Sequence, residues 1–143
     1  MKVYRSRKSG LAIRESYDRL LAFWSCETKE RDVATAYGTT HVIECGKAES
    51  LPLVLFHGVG DDSALMWIYN APELSKHFHL YAIDTLGGPG KSVPNENTTR
   101  SLTTYAGLMK PWTGWALGKR FTRACRMAVI WYRHIHCCAP KEC

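Results

Sequence analysis

Three absences narrow the classes to which this sequence can belong. No apolar run reaches the length of a membrane-spanning helix. No apolar segment of a secretory signal follows the basic residues 1–8. Between Glu96 and Glu142 there is no acidic residue at all. The first two absences predict a cytoplasmic protein that does not contact membranes, and its six cysteines are then expected to be free thiols.

The third absence divides the chain into two parts of different composition. Residues 1–96 carry 11 Lys and Arg against 12 Asp and Glu, whereas residues 97–143 carry 8 against 1. The second part also holds three of the five tryptophans and four of the six cysteines. A basic segment often indicates a phosphate partner, but so abrupt a change of composition needs an explanation of its own.

Hydrophobic patterning before residue 110 predicts an α/β architecture. Strand, helix and strand follow one another at the spacing of a βαβ unit, which predicts a parallel sheet with flanking helices. Beyond residue 110 no periodicity is found, so the C-terminal third is expected to be irregular or poorly packed. We expect helices within 9–24, 64–76 and 101–109 and strands at 37–45, 53–56 and 78–84, with Pro72 breaking or restarting the second helix.

Two of the predicted strands end in glycine-rich segments. The apolar strand 53–56 stops abruptly at His57-Gly-Val-Gly60, which is typical of a buried strand that feeds a tight loop. The strand 78–84 is followed by Thr85-Leu-Gly-Gly-Pro-Gly-Lys-Ser92, which is rich in turn residues.

In this order and spacing, the motifs resemble those of the α/β-hydrolases, the family of esterases and lipases with a serine nucleophile. The resemblance covers residues 35–97 and depends on Tyr37–Val42, Leu53–Gly58 and Tyr81–Ser92. It implies hydrolysis of a carboxylic ester or similar acyl bond of a small molecule, without a cofactor or a metal. The implied mechanism uses a serine held by a histidine and an acid, opposite an oxyanion hole.

The resemblance also implies roles for the loop residues. The backbone N–H of Val59 is the expected oxyanion donor, and His57, Gly58 and Gly60 are expected to shape the loop around it. In the family this histidine is not the catalytic base. The simpler alternative for this loop is a plain strand-to-helix turn. Structural roles in the second loop are expected for Asp84, Gly87, Gly90 and Ser92.

The sequence departs from the family in its second half. It contains no Gly-x-Ser-x-Gly, and no later Asp and His can be assigned to a triad. A one-base shift of the reading frame permits codons for an acidic amphipathic helix over residues 106–115. The same shift permits Gly-x-Ser-x-Gly-Gly over residues 123–129. We therefore hypothesise a frameshift near or before Ala106, which leaves a truncated and catalytically incomplete hydrolase.

This hypothesis predicts the organisation of the whole chain. Residues 1–34 are an N-terminal helical extension, residues 35–106 a partial α/β-hydrolase core, and residues 107–143 a basic tail rich in Cys and Trp. A parallel sheet cut after its first strands is expected to expose an unpaired apolar edge and to be poorly soluble. A separately translated downstream fragment is a candidate partner that would complete the fold.

Two other interpretations compete with the hydrolase. Gly88-Pro-Gly-Lys-Ser92 resembles part of a phosphate-binding loop, although Thr85 stands where the first glycine is needed, so a nucleotide-binding protein is one alternative. The tail segment His134–Cys138 with Cys143 offers zinc ligands, but no second CxxC pair accompanies it. The arginines and Trp131 of the tail suggest nucleic-acid binding only as a weaker possibility.

Overall fold

Six strands and three helices lie in the part of the chain that the structure describes. The structure is a computed structural model and describes residues 3–58 and 60–98, together with the backbone of residues 128–131. Within these residues no helix has the length and apolar character needed to cross a membrane. The helices are α1 (Arg7–Leu21), α2 (Ser63–Met66) and α3 (Ala71–Leu74). The strands are β1 (Thr28–Thr35), β2 (Gly38–Cys45), β3 (Leu51–Phe56), β4 (Phe78–Ile83), β5 (Val93–Pro94) and β6 (Ala128–Trp131).

The strands form one mixed sheet in the order β1-β2-β4-β3-β6, with β5 paired to the start of β2. β3 is parallel to β4 and to β6, which confirms the predicted βαβ unit. β2 is antiparallel to both β1 and β4, so the sheet is not parallel throughout. Only two residues separate β1 from β2, and a parallel crossover needs about a dozen.

β6 lies along the edge of β3 that faces away from β4. It pairs in parallel register, from Leu53 opposite Ala128 to Phe56 opposite Trp131. The edge of β3 is therefore paired, contrary to the expectation, and among the described strands β6 is the terminal strand on this side of the sheet. The predicted helix at 101–109 lies outside the described residues. The C-terminal third was expected to be irregular, but its described residues 128–131 form the strand β6.

The main core lies on the face of the sheet that the helices cover. Trp24 links the helices, because its indole N–H donates to the carbonyl oxygen of Ala64 at 3.0 Å. Residues from α1 and from the strands share one buried cluster. The domain boundaries predicted at residues 34 and 106 stay predictions. The cluster consists of Tyr17, Leu21, Trp24, Ile43, Cys45, Leu53, Leu55, Ala64, Trp67, Ala71, Leu80 and Ala82.

Local signals explain where the helices begin and end. Ser6 and Ser9 form a capping box, so α1 begins at Arg7, earlier than its apolar spacing predicts. The side chain of Asp62 accepts the backbone N–H of Leu65 and caps α2. Pro72 lies in the first turn of α3, and the predicted helix 64–76 is accordingly two short helices.

Candidate active site

His57 connects the loop after β3 to the loop after β4. Its Nε2 accepts the backbone N–H of Thr85 at 2.9 Å, and its Nδ1 donates to the carbonyl oxygen of Gly58 at 2.9 Å. A backbone N–H can only donate, so Nε2 must hold the lone pair and Nδ1 the proton. The ring is buried and both nitrogens are engaged. In this arrangement His57 positions the loop and has no free nitrogen with which to act as a base.

Asp84 is the buried centre of the neighbouring loop. Its side chain is fully shielded from solvent, and its two carboxylate oxygens accept different backbone N–H groups. Oδ1 accepts from Ser63 at 3.0 Å, and Oδ2 accepts from Lys91 at 2.9 Å. Ser63 is the first residue of α2. Asp84 therefore holds the start of α2 against the loop that follows β4.

Ser92 extends this connection to β2. Its hydroxyl donates to the carbonyl oxygen of Asp84 at 2.7 Å and accepts the backbone N–H of His41 at 2.8 Å. The backbone N–H of Asp84 in turn donates to the carbonyl oxygen of His41 at 3.0 Å. The three residues form a closed set of hydrogen bonds, so the end of β4 is held on β2 at this point.

The glycines of the two loops are under different constraints. Gly90 has a φ of +117°, and a Cβ there would lie 2.5 Å from Oδ2 of Asp84. Gly87 and Gly60 also have positive φ, at 83° and 93°. Gly58 does not, and a Cβ there would meet its nearest described neighbours only at ordinary contact distances of 3.7 and 3.8 Å. Nothing in the described residues therefore requires glycine at position 58.

Asp62 places a second carboxylate close to Asp84. Burial raises the pKa of Asp62, the N–H of Leu65 opposes that shift, and the negative charge of Asp84 adds to it. Burial and the neighbouring Asp84 charge therefore disfavour the charged form of Asp62.

The N-terminal helix supports the loop after β4 through Lys91. The Lys91 ammonium contacts Asp18 of α1 at 2.5 Å and also pairs with Glu30 of β1. It lies 4.8 Å from the centre of the Tyr17 ring. Burial opposes the charge of Lys91, but the carboxylates of Asp18 and Glu30 outweigh burial and raise its pKa. Lys91 thus ties α1, β1 and the loop together.

These contacts do not support the nucleotide-binding interpretation. A phosphate-binding loop needs a lysine free to reach the phosphates and a helix that begins directly after it. The Lys91 ammonium is held by two carboxylates, and its backbone N–H is used by Asp84. Ser92 is followed by the strand β5 instead of a helix.

Sequence patterning did not identify the polar cluster around His41. Its Nδ1 lies 2.6 Å from Asp32 and its Nε2 lies 2.9 Å from Glu30, both on β1. The two acids are two residues apart, so they lie on one face of an extended strand. The spacing of the two acids could have indicated this cluster in the sequence. It does so only if the charged segment 28–35 is first recognised as a strand.

Some of the predicted site residues cannot be placed. Val59 lies outside the described residues, as do the histidines and cysteines of the tail segment 134–143. Among the described residues, no group of three or more His, Cys, Asp and Glu side chains is placed to hold a metal ion. The candidate site therefore consists of His57, Gly58 and Gly60 in the first loop and Asp84, Gly87, Gly90 and Ser92 in the second.

The sheet order and the two loops define part of an α/β-hydrolase, the class that the sequence motifs resemble. Solved structures support this fold: naproxen esterase (carboxylesterase NP) from Bacillus subtilis matches with a TM-score of 0.73 and 27% identity. That match covers 90% of this chain and 42% of the esterase. No protein-family model matches the chain.

Among curated proteins, the chain is similar to two carboxylesterases of Bacillus subtilis (strain 168). It is 38% identical over 88 residues to carboxylesterase YbfK, a match that covers 62% of this chain and 29% of the relative. It is 36% identical over 98 residues to the uncharacterized carboxylesterase nap, covering 68% of this chain and 32% of that protein. The chain thus spans about a third of the length of these relatives.

Proposed function

We propose that the two loops form the oxyanion side of a site for hydrolysis of small carboxylic esters. The backbone N–H of Val59 is the proposed donor to the charged oxygen of a tetrahedral intermediate. A backbone donor suits this role, because it is fixed before negative charge develops. Carboxylesterase relatives that match much of this chain support ester hydrolysis as the reaction class.

The observation that carries this proposal is the contrast between Gly58 and Gly90. Gly90 is required by its backbone conformation and by the Asp84 carboxylate, whereas neither constraint applies to Gly58 among the described residues. A glycine that folding does not require leaves room for another molecule to approach the backbone. His57 meanwhile anchors the loop, since its Nδ1 donates to the Gly58 carbonyl oxygen and its Nε2 accepts the Thr85 N–H. An anchored loop with an open backbone at Gly58 is suited to bind substrate.

We also propose that the 143-residue chain alone has no esterase turnover. An oxyanion donor stabilises charge only after a nucleophile has attacked the ester, and the sequence has no Gly-x-Ser-x-Gly to supply that nucleophile. His57 cannot replace the missing base while both of its nitrogens are engaged. The purified chain is therefore expected to hydrolyse p-nitrophenyl esters no faster than buffer and without a burst.

The proposed cause is a frameshift near or before Ala106. The loss of acidic residues after Glu96 and the shifted codons that permit an elbow over 123–129 both support it. A complementing fragment translated from the other frame is the proposed partner. Sequencing the gene across residues 100–143 and beyond tests the frameshift: an alternate frame that encodes Gly-x-Ser-x-Gly and remains open is expected. An early stop codon or the absence of the elbow would exclude it.

A further inference from the structure

Two cysteines lie together at the opposite end of the sheet from the candidate active site. Cys45 is the last residue of β2 and is buried in the core, while Cys26 is half-buried and packs against the same core cluster. The register of the hairpin places Thr28 opposite Cys45. Cys26 lies at a bend of the chain only two residues before Thr28, and so close to the end of β2.

The pKa of Cys45 agrees with this placement. Burial raises the pKa of Cys45, and the charge of the Cys26 thiolate and a hydrogen bond donated to the Cys26 side chain raise it further. Both cysteines are reduced in this structure.

We propose that Cys26 and Cys45 are a redox-sensitive dithiol pair that closes to a disulfide in the presence of a low-molecular-weight disulfide such as oxidised glutathione. The more exposed Cys26 thiolate attacks first, forms a mixed disulfide and releases one glutathione thiolate. The Cys45 thiolate then attacks the Cys26 sulfur, which forms the protein disulfide and releases the second glutathione. The two thiol protons end on the two glutathione molecules, and the protein pair is oxidised as the glutathione disulfide is reduced.

The disulfide would affect the connection between α1 and the sheet. Trp24 lies two residues before Cys26, and its indole N–H holds the Ala64 carbonyl oxygen of α2. A bond from Cys26 to β2 would fix this connection and close a loop of the chain between the two cysteines. Such a closure restricts the unfolded chain, so the oxidised protein is expected to have the higher Tm.

Peptide mapping of the full-length chain tests the pairing directly. The chain is incubated with oxidised glutathione, quenched with acid, alkylated to block the remaining thiols, and then digested with trypsin near neutral pH without reductant. Cys26 and Cys45 then lie on separate peptides, residues 20–29 and 32–47. The expected product is a cross-link of these two peptides in the folded protein, with a Tm raised by about 5 °C or more. Free Cys45 beside a glutathionylated Cys26, or cross-links from Cys45 mainly to other cysteines, would overturn the proposal.

Two variants separate the steps of the reaction. C45S is expected to stop at the mixed disulfide on Cys26, and C26S is expected to leave Cys45 reduced under the same conditions. C26S also provides a test that does not depend on a substitution in the core, since Cys26 is only half-buried. Oxidation of Cys45 at an undiminished rate in folded C26S would contradict a role for Cys26 as the attacking thiol.

Discussion

The Nε2 atom of His57 accepts the backbone N–H of Thr85 at 2.9 Å, which joins the ends of two adjacent parallel strands. The same ring donates from Nδ1 to the carbonyl oxygen of Gly58. Replacing His57 by Ala would leave the partly buried Thr85 N–H without this partner and remove a packed ring. We expect this change to reduce the free energy of unfolding by about 2 kcal/mol, measured by urea denaturation.

A matched control is available on the surface. His77 is largely exposed and lies 4.0 Å from Glu73 as its nearest ion-pair partner. His77→Ala is expected to change the free energy of unfolding by less than about 0.5 kcal/mol. Equal losses for His57→Ala and His77→Ala would show that the His57 hydrogen bonds do not stabilise the loops.

Alanine substitutions at two glycines test the contrast on which the proposed function depends. Gly90→Ala puts a Cβ against the Asp84 carboxylate at a positive φ, and we expect it to cost about 2 kcal/mol or more of stability. Gly58→Ala meets no such constraint from the described residues and is expected to cost less than about 0.5 kcal/mol. Thermal and urea unfolding of both variants measure the difference. A Gly58 variant as unstable as the Gly90 variant would remove the argument for an open substrate approach.

Tyr17 is expected to make the protein sensitive to alkali. Burial, and then the negative charge of Asp84, raise the pKa of Tyr17 above its ordinary value of 10.0. Because the folded pKa is the higher one, the stabilising contribution is complete below pH 10.0 and is lost as the pH rises above it. Between pH 8 and pH 11, the free energy of unfolding of Tyr17→Phe is expected to fall by about 1 kcal/mol less than that of the wild type.

The same pH series has an internal control on the surface. Tyr69 is 89% exposed, so Tyr69→Phe is expected to follow the wild-type curve. At pH 7 the Tyr17→Phe variant should be nearly as stable as the wild type, because the buried Tyr17 hydroxyl interacts with the Asp84 side chain but forms no hydrogen bond of standard geometry. Parallel alkaline curves for wild type and Tyr17→Phe would show that this phenol does not control the transition.

Asp62 is expected to have two opposing effects on stability. Its side chain stabilises the fold by capping α2, and its buried negative charge destabilises the fold. Its folded pKa lies above the ordinary value of 3.8, with burial as the main cause. The favourable contribution of the protonated form is therefore complete below pH 3.8 and is lost as the pH rises through the folded pKa. Asn caps helices as well as Asp does, so Asp62→Asn is expected to gain stability relative to the wild type between about pH 4 and 7.

The alanine variant separates these two roles of Asp62. Asp62→Ala loses the bond to the Leu65 N–H as well as the charge, and we expect it to be about 1 kcal/mol less stable than Asp62→Asn at pH 7. Urea denaturation at several pH values measures both differences. A constant difference between Asp62→Asn and the wild type from pH 4 to 7 would contradict the raised pKa.

The sequence predicted the strands that have a clear apolar pattern. β2, β3 and β4 are buried and rich in β-forming residues, and Pro72 marked the interruption between α2 and α3. β1 was not predicted, because it is an exposed edge strand in which Val33 is the only buried residue. Its charged residues pair with β2 residues 9 and 13 positions away and with Lys91, which is 61 positions away, and no apolar pattern marks these pairs.

The candidate site was predictable only as far as local motifs extend. The positions of Asp84, Gly90 and Ser92 followed from a turn-rich segment after a strand. The hydrogen-bond partners of these residues did not, since Ser63 and His41 lie 21 and 51 residues away along the chain from the groups they contact. Such long-range partners depend on the packing of α2 and β2 against the end of β4, which no local pattern specifies.

The most direct test of the proposed function compares two proteins made from the same gene. One is the 143-residue chain, and the other is translated with one base shifted before codon 106, so that the elbow is encoded. Both are incubated with a p-nitrophenyl ester under identical conditions. We expect a burst and steady turnover from the frame-restored protein, reduced by Gly58→Ala, and hydrolysis at the buffer rate from the 143-residue chain. Steady turnover with a burst by the 143-residue chain itself would contradict the account.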